Sequence, residues 1–155
     1  THEVLPGMIA RGSGHIVNIS SGAGKIGTLN MAAYCASKFA MNGWSESLYH
    51  ELKPLGITVS IICPGPVPTD FNRAFRDSEP KSPPALFVSA AAVSRRVIKV
   101  IGKNRFEVIM PRWLAFLCLV KRLTPTLFRV LADRRFRRHV TKPGHAELTP
   151  KFSGN

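Results

Sequence analysis

Two apolar periods alternate along this chain. Residues 15–19 (HIVNI) form a short run rich in β-branched residues, closed by Ser20, Ser21 and Gly22, and predict a buried strand. Residues 32–53 carry a helical pattern in which Ala36, Phe39, Ala40, Gly43, Ser47, Leu48 and Leu52 recur at spacings of three and four, and Pro54 and Gly56 end it. Residues 57–63 (ITVSIIC) are almost continuously apolar between Gly56 and the Pro64-Gly65 pair, which is how a strand buried on both faces of a parallel sheet reads. Ser89 caps a helix that runs to about Ile101 and ends at Gly102, and residues 106–110 (FEVIM) give a further strand stopped by Pro111. Upstream, residues 1–11 read as the end of a helix closed by Gly12 and Gly14. Strand, helix, strand, helix, strand predicts an α/β fold with a parallel sheet and right-handed crossovers.

Two stretches break this alternation. Residues 66–88 are polar and Pro-rich and suit a mobile loop or lid. Trp113 to Val120 is an unbroken apolar run, but Lys121, Arg122 and Pro125 follow it, and eight residues fall far short of the roughly 20 that cross a bilayer. On a helical wheel Trp113, Phe116, Leu117, Leu119, Val120 and Leu123 share one stripe, and Pro125 divides the segment into two short helices. Residues 134–142 are strongly basic, and 143–155 read as a disordered tail. The expected organisation is one α/β domain over 1–111, a basic amphipathic helical segment over 112–142, and that tail.

Composition refines the picture. At 155 residues, 45% hydrophobic and 20% charged, the chain is globular and long enough for one domain with a core. Its net charge of +13 is unevenly placed: residues 1–94 hold 7 Lys and Arg against 6 Asp and Glu, whereas residues 95–155 hold 15 against 3. The basicity thus points to an anionic partner for the C-terminal third, and carries no catalytic implication. Three widely spaced cysteines (Cys35, Cys63, Cys118) exclude a disulfide framework and a CxxC zinc site, so a reduced, cytoplasmic setting is expected, with the basic segment allowing membrane association. The chain opens at Thr1 without a charged-then-apolar leader, and reads as trimmed or as part of something longer.

One segment catches the eye. Residues 22–27 (GAGKIG) match the GxGxxG pattern of dinucleotide-binding turns and follow a strand. The pattern binds pyrophosphate only where its glycines open a helix, and here five residues, Thr28 to Ala32, intervene, so we read it as a decoy. Tyr34 and Lys38 carry more. Four residues apart on a helix, they project from one face, and an ammonium beside a phenol favours its charged form, which makes an otherwise weak base useful. Alone, such a pair is more often a solvated surface feature. Thirteen residues before Tyr34 stands Ser21, at the C-terminal end of a predicted parallel strand, where open α/β sheets bind ligands. After the next buried strand comes PGPVPT, residues 64–69, again at a strand's C-terminal end. Each feature has a structural explanation of its own (a turn serine, a plain turn, a helix-capping threonine), but all three converge on one sheet edge.

In combination, GHIVNISS, YCASK and ELKPLGITVSIICPGPVPT make residues 5–70 resemble the second half of a short-chain dehydrogenase/reductase, with looser agreement to about residue 111. The resemblance implies a Rossmann-like, doubly wound parallel sheet, present as its C-terminal half, and hydride transfer between NAD or NADP and a carbonyl or alcohol substrate that the apolar stripe suggests is lipophilic. It implies that Ser21 polarises the substrate oxygen, that Tyr34 is the acid/base, and that Lys38 favours the phenolate and holds the nicotinamide ribose. Pro64, Gly65, Val67 and Thr69 correspond to the segment that binds the carboxamide. Ser20 is the weaker serine candidate, because the spacing favours Ser21. The family's first-strand glycine motif and its catalytic asparagine would both lie before Thr1, so the resemblance implies the C-terminal portion of a longer protein. Family members often pair through the helix bearing YxxxK, which implies a homo-oligomer. Two rival readings stand beside this one: a truncated, non-catalytic relative, and a membrane-surface module acting through the basic segment. Nucleic acid is the weaker anionic partner, because aromatics do not interleave the basic run.

Overall fold

The computed structural model describes residues 1–69 and 86–140, with side chains described as far as residue 134. Helix α1 (Leu5–Ala10) leads into strand β1 (Gly14–Ile19), a 3-10 turn (Gly22–Gly24) and the long helix α2 (Ala32–Leu52). A second 3-10 turn (Lys53–Leu55) precedes β2 (Ile57–Pro64), followed by α3 (Ala90–Val100), β3 (Glu107–Met110), α4 (Arg112–Leu123) and α5 (Pro125–Val140). The strands form one parallel sheet in the order β1-β2-β3, with Ile16 opposite Val59 and Ile62 opposite Val108. The α/β layout with a parallel sheet expected from the hydrophobic pattern is the one adopted, and it is Rossmann-like, as the resemblance implies.

The apolar run of β2 follows from its place. Ile57 and Val59 point to one face, where Leu48 and Leu52 of α2 and Leu5 and Met8 of α1 cover them; Ile62 points to the other, against Val93, Val97 and Val100 of α3. A strand covered on both sides has no solvent face to carry polar residues. Its neighbours are set by turn chemistry. Gly56 adopts a left-handed φ of 73° after the Lys53–Leu55 turn and lies directly against the Gly12 backbone, so a side chain fits there neither conformationally nor sterically. Ser89 caps α3 by accepting a hydrogen bond from Ala92 N–H at 3.2 Å.

A polar thread ties the opposite ends of the strands together. Gly102 N–H donates to His15 Nδ1 (3.1 Å), which makes Nε2 the protonated nitrogen facing Ser60 Oγ (2.8 Å), and Ser60 in turn donates to the Arg105 carbonyl (2.6 Å). Burial lowers the His15 pKa from its ordinary value.

Two helical faces differ from expectation. On α2 the sheet side is formed by Cys35, Ser45, Leu48 and Leu52, while Ala36, Phe39, Ala40, Gly43 and Ser47 lie exposed. Ser45 reaches the sheet by accepting from Asn18 Nδ2 (2.9 Å) while donating to the Met41 carbonyl, so a satisfied hydroxyl occupies a position that hydropathy reads as outward. On α4 the buried residue is Leu114, outside the expected stripe, whereas Phe116, Leu119 and Leu123 are exposed. Pro125 does separate two helices, as the first residue of α5.

The chain divides into two compact units, Thr1–Leu119 and Val120–Asn155. Among the described residues, no helix is long and apolar enough to cross a membrane. Most of the expected loop at 66–88, and the whole of the expected tail at 143–155, lie outside the described residues.

Candidate active site

Where β1 and β2 end, the chain opens a cavity of about 550 Å³. Ser21, Tyr34, Pro64, Gly65, Val67 and Thr69 all line it. Each arrives by a separate local device. Ser21 lies just past the end of β1 and caps the Gly22–Gly24 turn, its Oγ accepting from Ala23 N–H at 3.1 Å while its own proton can be donated. Tyr34 sits in the first turn of α2, so the start of that helix brings the phenol to the strand ends. Pro64 and Gly65 close β2, with Gly65 N–H donating to the Met110 carbonyl at 2.6 Å, which fixes the turn to β3. Val88 N–H donates to the Pro66 carbonyl (2.8 Å), holding the start of α3 beside the same turn.

Lys38 does not line the cavity. It lies one turn behind Tyr34, with its ammonium 5.7 Å from the centre of the tyrosine ring. Nζ donates to the Ile19 carbonyl at 3.2 Å. Ser20 N–H bonds to β2, so by alternation that Ile19 group faces the open edge of the sheet. Both serines line the cavity, and their hydrogen bonds differ. Ser20 is buried and its hydroxyl donates to the Lys38 carbonyl at 3.3 Å, while Ser21 faces its own turn and the cavity.

The glycine pattern at 22–27 has a packing explanation. Ala23 N–H bonds to Ser21 Oγ, Gly24 N–H to Ser21 O, and both Lys25 and Ile26 N–H to Gly22 O, so these donors are consumed within the turn. A phosphate cradle needs them free. A Cβ on Gly24 would come within 2.7 Å of the Lys38 carbonyl oxygen, and one on Gly22 within 2.7 Å of Leu114 Cδ2. These glycines let α2 and α4 approach, and Asn42 seals the contact by donating to Gly24 O at 2.7 Å. The decoy reading thus has a structural cause.

Sequence reasoning named a cover over the entrance within residues 112–138 but not the residues that line the cavity there. Met31, Val93, Trp113, Leu114 and Leu117 also line the cavity. In the sequence Trp113 and Leu117 belong to the stripe read as a membrane anchor or a cover over a lipophilic substrate entrance; the signal for Leu114 was Gly22, whose missing side chain makes room for it. Among nearby thiols, Cys63 is buried and its pKa is pushed up to about 12 by burial and, next, by the Glu107 carboxylate, so it is no nucleophile at neutral pH.

Known proteins share this layout. The family model described as short chain dehydrogenase matches residues 1–80. The chain belongs to the short-chain dehydrogenase/reductase family. Among curated short-chain dehydrogenase/reductase relatives, epidermal retinol dehydrogenase 2 of Mus musculus is 37% identical over 124 residues, which cover 78% of this chain and 40% of the relative. A ketoacyl reductase of Nostoc, HetN, is 39% identical over 111 residues, covering 71% of this chain and 38% of the relative. Among solved structures, the F189W actinorhodin polyketide ketoreductase with NADPH is 31% identical with a TM-score of 0.59, covering 67% of this chain and 48% of that one. The chain therefore spans about two fifths to half the length of the short-chain dehydrogenases and reductases it matches.

Proposed function

We propose that this chain carries the proton-transfer half of an NAD- or NADP-dependent oxidoreductase site acting on a carbonyl or alcohol group. One coincidence carries the reading: a phenol and a serine hydroxyl share one cavity at the strand ends with the Pro64–Thr69 turn, and an ammonium stands 5.7 Å behind the phenol ring. In the reducing direction, Ser21 donates a hydrogen bond to the carbonyl oxygen and Tyr34 transfers its phenolic proton to that oxygen as negative charge develops there. The Lys38 ammonium stabilises the phenolate that remains. In the oxidising direction the same phenolate takes the proton from the alcohol.

The residues present suit the nicotinamide end of a dinucleotide. Gly65 lets the turn pack closely on Pro111, whose Cδ a Cβ there would meet at 3.1 Å, and it adds no side chain to the cavity. Thr69 adds a hydroxyl at the cavity, Val67 lines it, Pro64 fixes the turn, and Lys38, whose ammonium carries N–H donors beyond the one given to the Ile19 carbonyl, would serve the ribose hydroxyls. Bound there, the nicotinamide supplies or accepts the hydride. Solved relatives hold NADPH in one case and NAD in another, and the nicotinamide end is common to both.

Two surfaces extend the proposal. The exposed face of α2, with Phe39 and Trp44 43% and 48% accessible, suits pairing with a second copy of the chain. Helix α5, with arginines interspersed among exposed Leu127, Val130 and Leu131, suits an anionic membrane surface. The test of the catalytic reading is loss of NADH or NADPH absorbance by the complete protein in the presence of aldehydes and ketones. Turnover supports it; cofactor binding without turnover of any carbonyl or alcohol would favour a non-catalytic relative. Vesicle co-sedimentation, with and without residues 112–155, separates out the membrane reading: binding to anionic vesicles that persists unchanged on removal would sink it.

A further inference from the structure

We propose that Lys25 and Glu107 are positioning residues: their ion pair straps the glycine turn across β2 to β3 and so fixes where Ser21 presents its hydroxyl. This rests on the oxidoreductase reading for the role of Ser21, and it gives the lysine of the 22–27 pattern a use other than phosphate binding.

Ser21 needs an anchor because it lies outside the sheet. The β1–β2 ladder ends at Ser20, whose N–H donates to the Ile62 carbonyl at 2.8 Å. From there the chain enters the turn, and Ser21 Oγ accepts from Ala23 N–H, so the hydroxyl moves with the turn. The bonds inside it, Gly24 N–H to Ser21 O (3.0 Å) and Lys25 N–H to Gly22 O (2.9 Å), set its shape. They cannot set its place relative to Tyr34. That takes contacts with other elements, and two polar ones arrive from different sides. Asn42 of α2 donates from Nδ2 to the Gly24 carbonyl at 2.7 Å, and Lys25 meets Glu107 of β3. A turn bonded to α2 alone could still pivot about that contact; the second tie, to the sheet, removes the pivot.

The surroundings of the pair make it firm. The side chains are 26% and 33% accessible, and Glu107 Oε1, the oxygen that meets the Lys25 ammonium, is sealed from solvent. A carboxylate oxygen shut away from water holds its cation strongly, because leaving it unpaired costs far more than breaking an exposed pair. Both charges also act on the buried Cys63 thiol, Glu107 raising its pKa and Lys25 lowering it, which sets the pair over β2 rather than out in solvent. The register agrees. Glu107 stands beside Ile61, one position before the Ile62 that receives Ser20, so the strap crosses the sheet just behind the strand ends that open the cavity.

The complete protein is assayed with NADH or NADPH and the aldehyde or ketone it reduces fastest. Glu107→Gln keeps the shape and removes the charge. It should lower kcat by about tenfold, short of the roughly 100-fold that a displacement near 1 Å costs, while the cofactor Kd changes less than about twofold. Lys25→Glu should lower kcat at least as far, and the exchanged pair Lys25→Glu/Glu107→Lys should recover it to within about threefold of wild type. In a Ser21→Ala background Glu107→Gln should cost less than about twofold, since the group it positions is gone. A merely structural pair would cost the same in both backgrounds. Should Glu107→Gln not fold, Lys25→Met/Glu107→Gln, which leaves no charge unpaired, carries the same comparison. A second readout needs no turnover: amide hydrogen exchange at residues 23–26 should quicken by about tenfold in Glu107→Gln and return to the wild-type rate in the exchanged pair. Wild-type kcat in Glu107→Gln, or an equal loss with and without the Ser21 hydroxyl, overturns the proposal, and so does unchanged exchange in the turn. If the wild type converts no carbonyl or alcohol, the oxidoreductase reading fails; faster exchange in Glu107→Gln then still supports the strap, and unchanged exchange refutes it.

Discussion

Replacing Gly24 by alanine separates packing from phosphate binding in the glycine-rich turn. The added Cβ would stand 2.7 Å from the Lys38 carbonyl oxygen, 2.9 Å from its carbon and 2.8 Å from Asn42 Nδ2. Two of those atoms are helix backbone and cannot rotate away, so α2 or the turn must move. Gly24 is not among the residues with a left-handed φ, which leaves steric overlap as the main cost. Overpacking of this kind costs about 1–3 kcal/mol, and alanine recovers roughly 0.4–1 kcal/mol by restricting the unfolded chain. A net loss of about 1–2 kcal/mol should lower the urea midpoint of the complete protein by roughly 0.5–1 M. Because the clash falls on the residue bearing the ammonium, kcat should also drop, by about tenfold for a displacement worth 1.4 kcal/mol. Gly27→Ala is the control. A Cβ at Gly27 would meet no atom within 4 Å beyond its chain neighbours, so stability should stay within about 0.5 kcal/mol of wild type and the cofactor KM should not change. Wild-type stability in Gly24→Ala would refute the packing argument. A tenfold rise in cofactor KM in Gly27→Ala would show that the turn is a phosphate cradle after all.

Two further outcomes follow from the same contacts. Because burial lowers the His15 pKa below 6.5, the unfolded chain binds that proton more readily; the stability this contributes is complete above pH 6.5 and is lost as pH falls through that value toward the folded pKa. Urea midpoints of wild type and His15→Gln, compared at pH 7.5 and 5.5, should show the larger acid loss in wild type, by on the order of 1 kcal/mol, the worth of the Gly102 hydrogen bond that protonation removes. Leu114→Ala should cost about 2–5 kcal/mol by thermal or urea unfolding, since it empties a buried site between two loops; a cost below 1 kcal/mol would mean that α4 does not clamp them.

Legibility in the sequence tracked how local each determinant is. The β2 run, the Gly56 turn and the Ser89 cap are written in adjacent residues, and all three form as read. The clustering of Ser21, Tyr34 and the Pro64–Thr69 turn was also legible, because strand ends in a parallel sheet face one way. What escaped depends on partners distant in the chain. The sheet-facing side of α2 is marked by Cys35 and Ser45, which carry too little hydrophobicity to outweigh Phe39 and Ala40. Lys38 shares a helical face with Tyr34 yet stays outside the cavity, since its ammonium finds the Ile19 carbonyl first. Leu114 became visible only once Gly22 and Gly65, 92 and 49 residues earlier, stood beside it.

The most direct test of the central claim is the kinetics of Tyr34→Phe in the complete protein, with cofactor binding measured alongside. The substitution removes one oxygen and its proton while the ring keeps its place beside Lys38. General acid–base groups contribute about 10²–10⁴-fold, so kcat should fall by at least two orders of magnitude while the Kd for NADH or NADPH changes less than about threefold. A variant that keeps more than a tenth of wild-type kcat would contradict the account, because proton transfer would then pass through some other group.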